Sequence, residues 1–157
     1  MGLRVAVLIS GEGTNLQAIL DDVHGSHGIE VVCVGSSRAG ARGLERARLA
    51  GVECAVFARV EHPDRDEVLA DWLERRRVDL VVLAGFMEIL GPAFVRRFEA
   101  RIVNVHPSLL PAFPGIGAIE RALEQGAAEM GVTVHFVDEG VDSGPIILQE
   151  SFRVGAD

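Results

Sequence analysis

The sequence predicts an α/β protein: a doubly wound, mainly parallel sheet with antiparallel strands at its C-terminal end. Three observations carry that expectation. Strand-like and helix-like patterns alternate over the first 105 residues. Residues 3–9 and 80–84 are apolar almost throughout, as in strands covered on both faces. The last two strand patterns, residues 132–137 and 145–151, are separated by a short polar turn and therefore pair antiparallel.

Each element follows from its local pattern. The first strand is interrupted only by Arg4 and runs into a glycine-punctuated turn, residues 10–15, SGEGTN. Leu16, Ile19, Leu20 and Val23 then recur at helical spacing, and Thr14 with Gln17 has the spacing of a capping box. Residues 29–34 form a second strand, Leu44, Ala47 and Arg48 begin a short helix stopped by Gly51, and residues 52–57 form a third strand. Residues 63–77 read as an amphipathic helix with Val68, Leu69, Trp72 and Leu73 on one face. Its opening proline, early acids (Asp64, Asp66, Glu67) and closing Arg75, Arg76 and Arg77 suit the helix dipole. The LVVLA run at residues 80–84 is the fourth strand, Pro92 opens a short helix to Phe98, and residues 102–105 are the fifth strand. A proline-rich loop, residues 106–115, leads to a helix over residues 116–124 that Gly126 stops.

Composition narrows the functional classes. A chain of 157 residues is one domain by length and can bury about 70% of its unfolded surface. Its 23 acidic against 15 basic residues give a net charge of -8, and the basic ones are scattered, which argues against a nucleic-acid partner. All 15 basic residues are arginine, so lysine Schiff bases and a P-loop lysine are excluded. The longest apolar run, residues 78–90, is too short for a bilayer and is broken by Asp79 and Glu88, so no membrane partner is expected. The N-terminus enters a strand pattern directly, without a small-residue cleavage site. Cys33 and Cys54 stand alone in apolar stretches and read as buried free thiols, which suits a reducing cytoplasm. No His, Cys, Asp and Glu spacing resembles a metal site.

In an open α/β sheet, ligands bind beyond the carboxyl ends of the strands, and three polar segments stand there. The SGEGTN turn lets backbone approach a ligand and leads into a helix N-terminus, so its natural guest is a phosphate. It lacks the third glycine of a dinucleotide fingerprint, because that position is Leu16. In the second segment, strand alternation puts Asn104 and His106 on one face, where a carboxamide and an imidazole can stabilise an oxyanion and move a proton. The third is the acidic, glycine-rich DEGVDSGP loop from Asp138 to Pro145, in which Asp142 is a candidate carboxylate for orienting His106. His135, in an apolar strand, is either a core histidine or a supporting partner. His24, His27 and His62 are expected to face solvent.

Four motifs occur in order: LISGEGTNLQ from Leu8, LAGFMEIL from Leu83, NVHPSLLP from Asn104 and HFVDEGVDSGP from His135. Together they resemble the folate-dependent formyltransferase family, whose fold is a Rossmann-like doubly wound sheet, and the SGxGTNLQ start resembles its glycinamide ribonucleotide branch. The resemblance implies formyl transfer from 10-formyltetrahydrofolate to the amine of 5'-phosphoribosylglycinamide in purine biosynthesis. Asn104, His106 and Asp142 are then the catalytic residues, with Asn104 and His106 stabilising a tetrahedral intermediate. Gly13, Thr14 and Asn15 hold the ribonucleotide phosphate. Met87, Glu88, Ile89 and Leu90, with Asp138, Glu139, Gly140, Val141 and Asp142, cradle the pterin through backbone groups. Arg65 lies near the folate, and Asn104 also contacts it. The implied partners are the two small molecules, with no metal, and the implied state is a monomer or homodimer.

Three departures from the family pattern stand out. Gly117 takes the place of the usual histidine after Pro114-Gly-Ile116, and Glu88 that of a common basic residue. The chain, read as one formyltransferase domain over residues 1–157, ends at Asp157, several dozen residues short of the usual end. A chain of that length is expected to be less stable than a longer relative. The alternatives are a binding-only relative that keeps the phosphate loop, or another enzyme that uses formyltetrahydrofolate.

Overall fold

The computed structural model describes residues 2–139 and 143–153, and the chain divides into two compact units, Met1–Ile102 and Val103–Asp157. The first unit contains β1 (Leu3–Ile9), α1 (Thr14–Asp22), β2 (Ile29–Ser36), α2 (Gly43–Leu49), β3 (Glu53–Val56), α3 (Arg65–Arg75), β4 (Leu80–Leu83) and α4 (Pro92–Arg97). Its strands are ordered β3-β2-β1-β4. All are parallel, with Leu3 opposite Ile29, Val5 opposite Leu80 and Cys33 opposite Glu53. The predicted α/β class and parallel strands are observed.

Both faces of this sheet are covered, which accounts for the unbroken apolar strands. Val5, Val7 and Ile9 on one face of β1 pack with Leu16 and Leu20 of α1 and with Leu44 and Ala47 of α2. Alternation turns Ala6 and Leu8 to the other face, where both are fully buried. There Gly35 is needed for packing, because a Cβ on it would lie 2.9 Å from Leu8 Cδ2 and 3.5 Å from Leu69 Cδ1 of α3. Truncating a side chain such as Leu16 in so full a core costs about 2–5 kcal/mol.

Helix α3 is two residues shorter at each end than residues 63–77. Its buried face is Arg65, Leu69, Ala70, Trp72 and Leu73, while Val68 is half-buried. The buried face follows the helical period, but an arginine takes a place on it among the apolar residues. Asp66 and Glu67 in its first turn and Arg75 in its last complement the dipole, and Pro92 opens α4 as predicted.

The second unit holds β5 (Ile102–His106) from Val103 onward, α5 (Ala118–Glu124), β6 (Glu129–Phe136) and β7 (Ile146–Arg153). β5 and β7 each run antiparallel to β6, with Asn104 opposite His135 and His106 opposite Thr133. The antiparallel C-terminal strands are therefore observed, with β6 starting three residues before the predicted Val132. Gly117 precedes α5 with φ +73°, a backbone conformation that favours glycine over a residue with a side chain.

Three local expectations are corrected. Thr14 is the first helical residue and Gly13 sits at the cap without a side-chain hydrogen bond, so there is no capping box. Gln17 instead donates to Asp21 Oδ1 at 2.9 Å and accepts from Arg46 Nη1 at 3.2 Å. His24 is half-buried and accepts the Val31 N–H on Nδ1 at 2.9 Å, and His62 is half-buried beside Phe57. His27 is exposed, and Cys33 is fully buried, but Cys54 is only half-buried.

Candidate active site

The glycine turn after β1 is braced from two sides. Gly13 has φ +76°, and a Cβ there would fall 2.7 Å from the Cα of Gly43, so both close approach and backbone geometry require glycine. The N–H of Gly43 donates to the Gly11 carbonyl at 3.0 Å, and Arg46 Nε donates to the Glu12 carbonyl at 2.7 Å. Buried Ser10 accepts the Met87 N–H at 2.8 Å and shares a 2.6 Å hydrogen bond with Ser37. The turn thus borders a cavity of about 290 Å³ lined by residues 10–15 with Arg38, Ala84, Gly85 and Met87. The first N–H groups of α1 have no acceptors within the helix, so the lining that includes Gly13, Thr14 and Asn15 suits an anion. Ser10 opened the SGEGTN turn, but Ser37 carried no motif in the sequence beyond its place after a strand.

A second cluster gathers at the start of α3. Arg65 is fully buried and donates from Nε to Asp66 Oδ1 at 2.7 Å and from Nη2 to the Ile89 carbonyl at 3.5 Å. Its guanidinium stands 5.6 Å from the Phe86 ring centroid and 3.6 Å, through Nη1, from Glu88 Oε1. Asp66 Oδ2 accepts the Gly91 N–H at 2.7 Å, and Arg59 Nη2 donates to the Ile89 carbonyl at 3.1 Å. The segment after β4 is therefore pinned at its carbonyls and amides, while Met87 and Ile89 keep exposed side chains and Leu90 is buried. The sequence placed Arg65 with Met87, Glu88, Ile89 and Leu90 by resemblance; the structure brings Arg65 against Glu88 and Ile89. Asp66, which ties the cluster together, looked only like a helix-dipole acid.

The third group lies in the second unit. Asn104 and His106 occupy one face of β5 and are half-buried and buried, respectively. Asn104 Nδ2 lies 3.2 Å from His135 Nε2, and His135 Nδ1 lies 2.9 Å from the Phe136 carbonyl. A carbonyl only accepts, so the His135 proton sits on Nδ1 and Nε2 accepts from the Asn104 amide. His135 is buried, as a core histidine would be, and its Nε2 also meets the Asn104 amide, so the structure has features of both readings. The His106 Nε2–H donates to the Phe113 carbonyl at 2.8 Å.

The loop carrying Phe113 is held by Thr133, fully buried on β6. Its hydroxyl donates to the Ser108 carbonyl at 2.6 Å and accepts from the Leu110 N–H at 3.1 Å and from Gln149 Nε2 at 3.0 Å. Ser108 adds a 2.6 Å bond to the Ala112 carbonyl. Thr133 gave no sequence signal beyond its inward position on a strand. Asp138 and Glu139 are exposed, and Ser143 donates to Asp138 Oδ1 at 3.2 Å. Gly140, Val141 and Asp142 lie outside the described residues. Among the described residues, no group of His, Cys, Asp and Glu could hold a metal ion, and no helix is long and apolar enough to cross a membrane.

Comparison with known proteins identifies the family of the chain. A formyl transferase family model matches residues 3–157. The phosphoribosylglycinamide formyltransferase of Haemophilus influenzae is 49% identical over 150 residues, which cover 93% of this chain and 71% of that protein. The trifunctional purine biosynthetic protein adenosine-3 of Drosophila pseudoobscura pseudoobscura is 51% identical over 96% of this chain, which spans only 12% of that protein's length. The crystal structure of glycinamide ribonucleotide transformylase 1 from Symbiobacterium toebii, 50% identical, superposes with a TM-score of 0.93 over 98% of this chain and 74% of its own. Family model, aligned relatives and superposed structure coincide, and the chain belongs to the formyl transferase family, among its phosphoribosylglycinamide formyltransferases.

Proposed function

We propose that this chain transfers the formyl group of 10-formyltetrahydrofolate to the amine of 5'-phosphoribosylglycinamide. The observation that carries the reading is the Asn104 carboxamide, turned by His135 and standing on the same face of β5 as His106, in a chain so similar to enzymes with that name.

The substrate amine attacks the formyl carbon, and the carbonyl electrons move to oxygen. Asn104 donates an amide N–H to that oxyanion, and His106 donates the proton it holds on Nε2, exchanging the Phe113 carbonyl for the substrate oxygen. Collapse of the intermediate breaks the bond from carbon to the folate nitrogen. The attacking nitrogen loses its proton and the leaving nitrogen gains one, with Asp142 and His106 assisting the transfer. Each oxyanion donor is worth about 10²–10³ in rate.

Binding divides among the other segments. Gly13, Thr14 and Asn15 hold the ribonucleotide phosphate through backbone amides, which a chain without lysine can do at a helix N-terminus. Residues 87–90 and 138–142 hold the pterin, and Arg65 lies near the folate. The free thiols Cys33 and Cys54 favour the cytoplasm.

The test is direct. Purified protein mixed with 10-formyltetrahydrofolate and 5'-phosphoribosylglycinamide should release tetrahydrofolate, seen by absorbance, and a product heavier by one formyl group, seen by mass. Ligand binding without either signal overturns the enzymatic reading in favour of a binding-only relative.

A further inference from the structure

Ile9 lies opposite Ser36 in the parallel pair of β1 and β2, so the glycine turn and the loop after β2 leave the sheet side by side. Arg38 stands two residues into that second loop, and its backbone is fixed. The buried Ser36 hydroxyl donates to the Arg38 carbonyl at 2.7 Å and accepts the Arg38 N–H at 3.1 Å. The side chain is exposed, and among the described residues nothing pairs with its guanidinium. Among the described residues that line the cavity of about 290 Å³ at the glycine turn, Arg38 is the only basic one. Without it the charge there does not balance. A helix N-terminus is equivalent to roughly half a positive charge, whereas a phosphate ester carries about −1.5 to −2 at pH 7. Glu12, on the same lining, adds a negative charge that Arg42 offsets at 3.7 Å. Arg46 is already engaged with the Glu12 carbonyl and with Gln17. The amides of the turn can meet the phosphate oxygens, but they leave about one full negative charge unmatched.

We propose that Arg38 is a specificity-determining residue for the ribonucleotide: the side-chain cation that neutralises its phosphate at the mouth of this cavity. The proposal rests on the reading that Gly13, Thr14 and Asn15 hold that phosphate, and it adds a charged contact to their backbone amides. A guanidinium can give two N–H groups to two phosphate oxygens. Because Arg38 is unpaired beforehand, engaging it breaks no existing ion pair. Its charge thus favours the phosphate ester over the uncharged riboside.

The test is steady-state kinetics with 5'-phosphoribosylglycinamide for wild type, Arg38→Ala, Arg38→Lys and Gly13→Ala, at about 20 and about 200 mM potassium chloride. Arg38→Ala should raise the KM for the ribonucleotide about ten-fold, and move kcat and the KM for the folate far less. Its KM should also rise less with salt than that of wild type, a response that a merely structural role would not alter. Arg38→Lys keeps the charge without the planar fork and should recover most of the loss. A wild-type KM and salt response in Arg38→Ala overturn the role of Arg38 and leave formyl transfer standing. A raised KM that keeps the wild-type salt response, or that Arg38→Lys does not recover, marks a structural role and overturns the proposal as well. A wild-type KM in Gly13→Ala overturns the placement of the phosphate at the turn, and no turnover by the wild type overturns formyl transfer; the proposal falls with either.

Discussion

The Asn104 carboxamide donates to His135 across the antiparallel pair of β5 and β6, at 3.2 Å. Because His135 donates from Nδ1 to the Phe136 carbonyl, its Nε2 accepts only a donor, and the amide nitrogen must face it. That bond fixes which end of Asn104 is which, so under the proposed mechanism His135 positions the carboxamide that meets the oxyanion. Asn104→Ala should lower kcat by about 10²–10³, and His135→Ala, which lets the amide turn, by about 10-fold to 100-fold. The double variant should be no slower than Asn104→Ala alone, since residues acting as a unit are not additive. Steady-state rates of tetrahydrofolate release check this, and additive losses would refute the linkage.

Thr133→Val should destabilise the second unit. The substitution keeps the shape but removes the acceptor of the Leu110 N–H and the donor to the Ser108 carbonyl, both reached by a fully buried hydroxyl. Leaving such groups unpaired costs about 1–3 kcal/mol each. The same loop presents Phe113 to His106, so kcat should fall with stability, and Thr133→Ser should restore both. Urea unfolding followed by far-UV circular dichroism gives the stability; a silent Thr133→Val would show that the loop is held otherwise.

Gly13→Ala should raise KM for the ribonucleotide and lower stability. At φ +76° an alanine pays the left-handed penalty of about 1–2 kcal/mol, and its Cβ would meet the Gly43 backbone at 2.7 Å. Relief requires the turn to move away from α2, which shifts the α1 amides. The internal control is Gly11→Ala, where a Cβ meets nothing within 4 Å and stability should hold. Thermal melts of both variants, with KM for Gly13→Ala, decide it.

What the sequence made legible is what periodicity and strand ends record. Continuous apolar runs identified strands buried on both faces, and the polar residues at their ends marked Gly13, Asn104 and His106. Features set by tertiary contact were not legible. Thr14 and Gln17 had the right spacing for a capping box, but the approach of α2 put Gly13 at the cap and drew Gln17 to Arg46. Arg65 stood out only by resemblance and no pattern marked it as buried, because its burial depends on Asp66, Ile89 and Phe86, the last two brought in from more than 20 positions away. His135 could be narrowed to two roles, and only the structure could show that it is both buried and set against the Asn104 amide.

The alkaline limb of stability should report Cys33. Burial pushes this thiol up to about 12 from the 9.0 of an exposed one, outweighing the opposite pull of Arg76. As pH rises, the unfolded chain releases the thiol proton first, so the unfolded state gains free energy of ionisation that the native state does not. The stability contributed by the buried neutral thiol is whole below about pH 9 and is lost progressively between 9 and about 12. The slope approaches about 1.4 kcal/mol per pH unit inside that window. The chain suits the measurement because it has no tyrosine and its 15 basic residues are all arginine, so no lysine or phenol titrates there. Urea unfolding at pH 8, 9.5 and 10.5 should give a falling stability in wild type and a shallower fall in Cys33→Ala. Equal slopes in the two proteins would show that another group governs the limb.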